Sequence, residues 1–408
     1  MAGRPGRRAR QHAAATAVIA AGLAVLAGSF APASTAGAPA AARGAAAAGR
    51  ASPGASPPAA LVRPPAPGGQ AEPAAPRAVS LEVPGVNERV SLGPGGDQLE
   101  ATIAMDPAIS TDGRWVAYVA IGVLRGRSVY AIRLYDRSER STAQLYPLEG
   151  VAVDGYPMDP ETGILGRPAI SGDGRFVAFA EAVQGGWRIR MWGAEQGLFD
   201  PFAGTQVARF TFSTLPSLSE DGRYLAFLGG LGSGTTARLP PGYVLLDRDT
   251  GIATPFGVDQ AGRQVGTTSS QFFGSIAVSG DGTRVAFSDQ SPGSKLTRQQ
   301  VWLRDVAGAS TTLLSARPDG GEGTGDSYAP SISADGRVVA FASTSSDLVA
   351  DDRNGLPDVL AWRDGAGLRR ASLSPDGGEA DGGSGEPALS ANGRYLAFAS
   401  SAVNLVPG

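Results

Sequence analysis

The 408-residue chain has no cysteine and a single histidine, His12, which excludes disulfide stapling, thiol chemistry, His-based acid–base catalysis and His- or Cys-ligated zinc or copper beyond residue 12. Its formal net charge is −3, but residues 1–78 hold eight arginines against Glu72, leaving 37 acids and 27 bases for residues 79–408. A body of that sign does not suit a nucleic-acid backbone, so no such partner is expected.

Arg4, Arg7, Arg8 and Arg10 precede an apolar run from Ala13 to Ala31. The small-residue cleavage patterns Ala31-Pro32-Ala33 and Ala36-Gly37-Ala38 follow it. Residues 1–38 therefore read as a signal peptide. The pair Arg7-Arg8 leaves a twin-arginine route open, and an uncleaved signal would be the protein's one membrane contact. Residues 39–78 are almost entirely Ala, Pro, Gly, Ser and Arg. Such a stretch buries too little apolar surface to offset its ordering entropy, so it is expected to be a disordered linker. No second hydrophobic segment of spanning length follows. The expectation is a monomeric, soluble body that is secreted or held in the cell envelope.

From Ser110 onward the chain repeats one phrase: Ser, any residue, Asp or Asn, Gly, Arg or Thr, any residue, an aliphatic, Ala, then Phe or Tyr. The six copies start at Ser110, Ser171, Ser219, Ser279, Ser333 and Ser390, with spacings of 61, 48, 60, 54 and 57 residues. A period of that length means one folding unit used repeatedly. In the fifth unit, Pro330 to Ser333 predicts a short strand, and Asp335-Gly336 a tight hairpin turn. Val338 to Ser343 predicts a strand buried on both faces. Asp358 to Arg363 and Leu368 to Leu373 predict a third and a fourth strand. Third strands recur at Ser128–Asp136, Trp187–Trp192, Tyr243–Asp247 and Val301–Asp305. Four antiparallel strands per unit, arranged radially, make the blade of a β-propeller.

The sixth unit has a first strand at Pro387 to Ser390 and a second at Arg394 to Ser400, but no third or fourth before Gly408. Val79 to Gln98 aligns without a gap onto Leu360 to Glu379. That register puts Arg89-Val90-Ser91-Leu92 on Arg370-Ala371-Ser372-Leu373, and Pro94 on Pro375. The N-terminal segment is therefore expected to supply the outer strands of the last blade and leave no open sheet edge. The chain then reads as complete. The fold expected for residues 79–408 is all-β: a six-bladed β-propeller of four-stranded antiparallel blades, closed by its own N-terminal strands.

Phrases such as Pro-Ser-Ile-Ser-Ala-Asp-Gly-Arg-Val-Val-Ala-Phe-Ala-Ser at 330–343 resemble the repeats of TolB-type, or WD40-like, propellers. The tract from Ser346 through Asp351-Asp352-Arg353-Asn354-Gly355 to Val359 is similar to a recurrent phrase of that group in secreted bacterial proteins. The resemblance covers residues 79–408 and implies the propeller. It does not imply the activities of named relatives. The place of TolB's N-terminal α/β domain is taken by a low-complexity tether, and the nucleophile elbow and histidine of prolyl oligopeptidases are missing.

The repeated Ser, Asp and Gly fit a hairpin turn, with Asp bonding locally and Gly supplying positive φ. Tyr118, Phe179, Phe227, Phe287, Phe341 and Phe398 fit packing between blades. Chemistry belongs in what is not repeated. Connections from each fourth strand to the next first strand carry fifteen acids, among them Asp106, Asp259, Asp319, Asp376 and Asp381, against Arg167, Arg263 and Arg317. They open on one face together with the connections from second to third strands. That acidic face reads either as a solvated surface or as a docking site for an envelope or extracellular protein or glycan. Asp347, Asp351, Asp352, Asn354 and Asp358 are the densest oxygen cluster and a candidate for calcium, though not at EF-hand spacing. No other cofactor is expected. The reading is a non-enzymatic binding or scaffold module. The alternative is a carboxylate-dependent hydrolase or lyase acting on polysaccharide or peptide.

Overall fold

A computed structural model describes residues 103–124, 127–146, 167–183, 186–205, 207, 212–230, 242–265, 275–291, 298–350 and 352–405. The signal peptide, the linker, the segment Val79–Gln98 and Asp351 lie outside the described residues.

All the described elements are strands. The first blade contains β1 (Ile103–Ile109), β2 (Trp115–Leu124), β3 (Arg127–Asp136) and β4 (Ser141–Tyr146). The second contains β5 (Ala169–Ile170), β6 (Phe176–Val183), β7 (Gly186–Gly193) and β8 (Gly197–Phe199). The third contains β9 (Phe212–Leu218), β10 (Tyr224–Gly230), β11 (Gly242–Asp247) and β12 (Ile252–Pro255). The fourth contains β13 (Ser275–Val278), β14 (Arg284–Gln290), β15 (Gln299–Asp305) and β16 (Ser310–Leu313). The fifth contains β17 (Ser327–Ile332), β18 (Val338–Ser343), β19 (Asp358–Arg363) and β20 (Gly367–Arg370). The sixth sheet is the pair β21 (Ser384–Leu389) and β22 (Leu396–Ser400). Every four-stranded sheet runs in sequence order and every pairing is antiparallel, the meander expected of a blade.

Each repeated phrase builds the same turn. In the first blade Ser110 Oγ donates to Asp112 Oδ1 (2.6 Å) and accepts from Trp115 N (2.9 Å), while Asp112 Oδ1 accepts from Arg114 N (2.9 Å). Gly113 N closes the loop onto Ser110 O, and its φ of 72° is one that only glycine adopts cheaply. The glycine of every copy is left-handed. Successive turns are then linked through the main chain. Thr111 N donates to Gly172 O, Asp173 N to Glu220 O, Glu220 N to Gly280 O, Gly280 N to Ala334 O, and Ala334 N to Ala391 O. These bonds put the six units side by side in chain order. Gly282→Ala is expected to cost about 1–2 kcal/mol from φ alone. The loss should be larger in practice, because a Cβ there overlaps the Tyr224 ring. A urea midpoint equal to that of the parent would contradict this.

The repeated aromatics fill the seams between blades. Phe179 lies 5.3 Å from Tyr146 of the preceding blade, and Phe227 lies 5.1 Å from Phe202. Phe287 meets Tyr243 at 5.4 Å and Phe256 at 5.6 Å. All of β18 is buried, as its continuous apolar run requires. Several strand boundaries differ from the sequence reading, and blade five shows why. The fourth strand of blade five ends at Arg370 rather than Leu373, because Ala371 N and Ser372 N both converge on Val359 O and bend the chain. The first strand starts earlier, at Ser327, since a bulge at Ala329-Pro330 lets pairing resume on its far side.

Candidate functional site

Four-stranded meanders place the Ser-Asp-Gly turns at one end of the sheets, so the connections between blades open at the other. Two of these connections, 314–326 and 371–383, share one plan. Each folds back through an isolated bridge, Ala316↔Glu322 or Leu373↔Glu379, as the connection 256–265 does through Val258↔Gln264. In each an aspartate caps a backbone amide, Asp319 to Gly321 N (2.9 Å) and Asp376 to Gly378 N (3.3 Å). Exposed at this end are Asp319, Glu322, Asp326, Asp376, Asp381 and Glu386, with Arg317 the only arginine on the two loops.

Beneath them lies an arginine with three carboxylates. Arg370, at the end of β20, is 7% exposed. Its Nε lies 3.0 Å from Asp358 Oδ2, Nη2 is 3.6 Å from Asp352 Oδ1, and Nη1 is 2.8 Å from Glu379 Oε1. The Asp352 and Asp358 side chains are 4% and 3% exposed. Burial raises both of their pKa values above the ordinary carboxylate value, and Arg370 offsets this only in part. Glu379 is held below its usual value, first by the Arg353 amide and then by Arg370. Blade four solves the same position without charge. There Gln300 stands where Asp358 does and takes Ser315 Oγ (2.6 Å), and Leu313 stands where Arg370 does. The charged cluster is thus a feature of one blade and not of the repeat.

The calcium candidates are engaged separately. Asp347 accepts from Thr324 N (3.1 Å) and Ser345 Oγ (2.6 Å). Asn404 fills the equivalent place in the last sheet, accepting from Asp381 N, so this cap does not require a charge. Asn354 donates to Ala380 O (2.9 Å) and accepts from Leu356 N (2.8 Å). Asp352 and Asp358 face Arg370, whose guanidinium occupies the space between them. Among the described residues no group of three or more His, Cys, Asp or Glu is placed to hold a metal ion.

Arg167 lies 3.5 Å from Asp106 and 3.9 Å from Glu386. The last, first and second sheets therefore meet around one point on this face. A shallow cleft of about 280 Å³ between blades three and four is lined by Tyr224, Asp247, Ile252, Asp281 and Val306, at the turn end. Within it Thr283 Oγ1 donates to Asp281 Oδ1 (2.8 Å) as part of the repeated turn. Of the acids assigned to that face, those of 314–326 and 371–383 are exposed there except Glu379, whereas Asp259 is buried against Arg263; Arg370 was missed. The available signal was an arginine at the register position of Leu313.

No protein-family model and no curated protein matches the chain. Among solved structures it is similar to TolB from Acinetobacter baumannii, with 16% identity and a TM-score of 0.38 over 73% of this chain and 54% of that one. It spans only about half the length of that protein. Putative TolB from Agrobacterium tumefaciens gives 17% identity and a TM-score of 0.42, over 74% of this chain and 91% of that one. The β-propeller domain of the Trilobed protease from Pyrococcus furiosus gives 12% and 0.43, over 74% and 78%. The fold is a β-propeller. The described sheets carry that statement, and TolB is one of the propellers the chain resembles.

Proposed function

We propose that this propeller is an exported, non-catalytic binding module whose acidic loop face docks a positively charged protein or glycan of the envelope or extracellular space. One observation carries the reading: five exposed carboxylates against one arginine on two adjacent loops that share a backbone plan. Such a patch raises the local concentration of cations and speeds their encounter. The three described carboxylates with raised pKa, which would be the natural general acids, are shut away from solvent, Asp352 and Asp358 under Arg370 and Asp289 against the Tyr243 hydroxyl. That favours binding over hydrolysis. Export is the reading of residues 1–38.

The test is binding of an arginine-rich peptide and of a cationic glycan oligomer to the full chain at two ionic strengths. Association is expected to weaken as salt rises and to slow about ten-fold or more in Asp319→Lys/Asp376→Lys/Asp381→Lys. Binding that is indifferent to both changes, or turnover of the glycan or peptide, would overturn the proposal.

A further inference from the structure

In each blade the residue two places after the repeated aromatic lies in the half of the second strand away from the turns. Four blades carry Ala120, Gly229, Ser343 and Ser400 there, but the second carries Glu181 and the fourth Asp289. Both acids meet a tyrosine of the preceding blade, Tyr146 and Tyr243 respectively. Glu181 also has a cation, with Arg190 Nε at 3.6 Å. Asp289 is 5% exposed and Tyr243 1%. Opposite Asp289 on β15 stands Gln300, whose amide is committed to Ser315 Oγ and Gly323 O. Tyr243, from β11, is the one titratable group of the described residues that bears on this carboxyl.

The contacts at the pair need one more proton than the tyrosine has. Tyr243 Oη lies 2.6 Å from Asp289 Oδ2 and 3.2 Å from Ser288 O. A tyrosine hydroxyl holds a single proton, and neither a carboxylate nor a carbonyl can donate one. When Asp289 is protonated, its Oδ2 donates to Tyr243 Oη, which is then free to donate to Ser288 O. Gln290 N donates to Asp289 Oδ1 (2.6 Å), so every contact is a hydrogen bond. Burial, ahead of any neighbour, also holds this carboxyl above its ordinary value of 3.8.

We propose that the seam between the third and fourth blades is a proton-held joint: Asp289 stays neutral while the seam is closed, and the seam opens when that proton is lost to water. Once ionised, Asp289 is a buried charge facing one hydroxyl and one amide with no cation, which destabilises the closed seam. Local opening lets water reach it. Tyr243 carries the motion outward. Phe256 N donates to Tyr243 O (3.0 Å), and a Cβ on Gly257 would fall 2.6 Å from the Tyr243 ring. The connection 256–265 therefore starts against this tyrosine, and the joint and that loop move together.

The test follows urea unfolding of the full chain between about pH 4 and pH 8 in the parent, Asp289→Asn and Asp289→Ser. Asparagine keeps the shape without the charge, and serine is what blades five and six carry at this position. A carboxyl whose folded value lies above its unfolded one stabilises at low pH, and that stability is lost as pH rises through the folded value. The parent midpoint is therefore expected to fall with pH relative to both variants. A gap that does not change with pH, or one in which the parent gains, overturns the proposal. Amide exchange, compared at each pH between parent and Asp289→Asn, locates the effect. Faster exchange in the parent at the higher pH, confined to β11 and β14, supports a local joint. Acceleration that extends to β18, or none at all, overturns it.

Discussion

Arg370→Ala is expected to destabilise the protein by about 3–5 kcal/mol near neutral pH, the usual cost of removing one partner from a buried ion cluster. The variant leaves Asp352 and Asp358 buried and facing each other without a cation. Its signature is in the pH dependence. Both carboxyls already titrate above their ordinary value of 3.8, and losing the one charge that lowers them pushes both further up. A raised acid pKa means that the folded state holds the proton over a range where the unfolded chain has released it. Stability therefore falls as pH climbs from about 4 through the folded-state values, and the deficit shrinks again on acidification. Urea unfolding at pH 4 and pH 7 measures it. An equal deficit at both would show that Arg370 acts by packing alone.

Phe287→Ala is expected to cost about 3–5 kcal/mol. The ring is fully buried at the seam between the third and fourth blades, stacked 5.5 Å from Trp302 and in contact with Tyr243 and Phe256. Neighbours contributed by two separate sheets cannot collapse into the void without shifting a whole blade. Phe287→Leu, closer in volume, should lose well under half as much. Calorimetry of the pair checks both. A loss below about 1 kcal/mol for the alanine variant would mean that the seam relaxes freely.

The blades were legible because their signals are local. A run such as Val338–Ser343 declares a doubly buried strand, and Ser333-Ala334-Asp335-Gly336 carries within four residues both the side chain that caps the turn and the glycine that permits it. The Arg370 cluster was not legible. Its members at 352, 358, 370 and 379 come from a loop, two strands and an interblade connection, and only strand register brings them together. Grouping oxygens by nearness in sequence instead joined Asp347 and Asn354 to Asp352 and Asp358, although backbone amides and carbonyls had already claimed the first two. The bulge at Ala329-Pro330 was likewise invisible as a strand start, since a proline reads as an interruption.

The amide-to-carbonyl links between successive turns use no side-chain atom, and the residue after each repeated serine is variously Thr111, Gly172, Glu220, Gly280, Ala334 or Ala391. Inheritance can therefore alter these turns one residue at a time without uncoupling neighbours. A whole unit could be gained or lost by gene duplication or deletion, provided the incoming turn offers one amide and one carbonyl. The turn links are a generic coupling, on which the loops at the opposite end of the sheets are free to diversify.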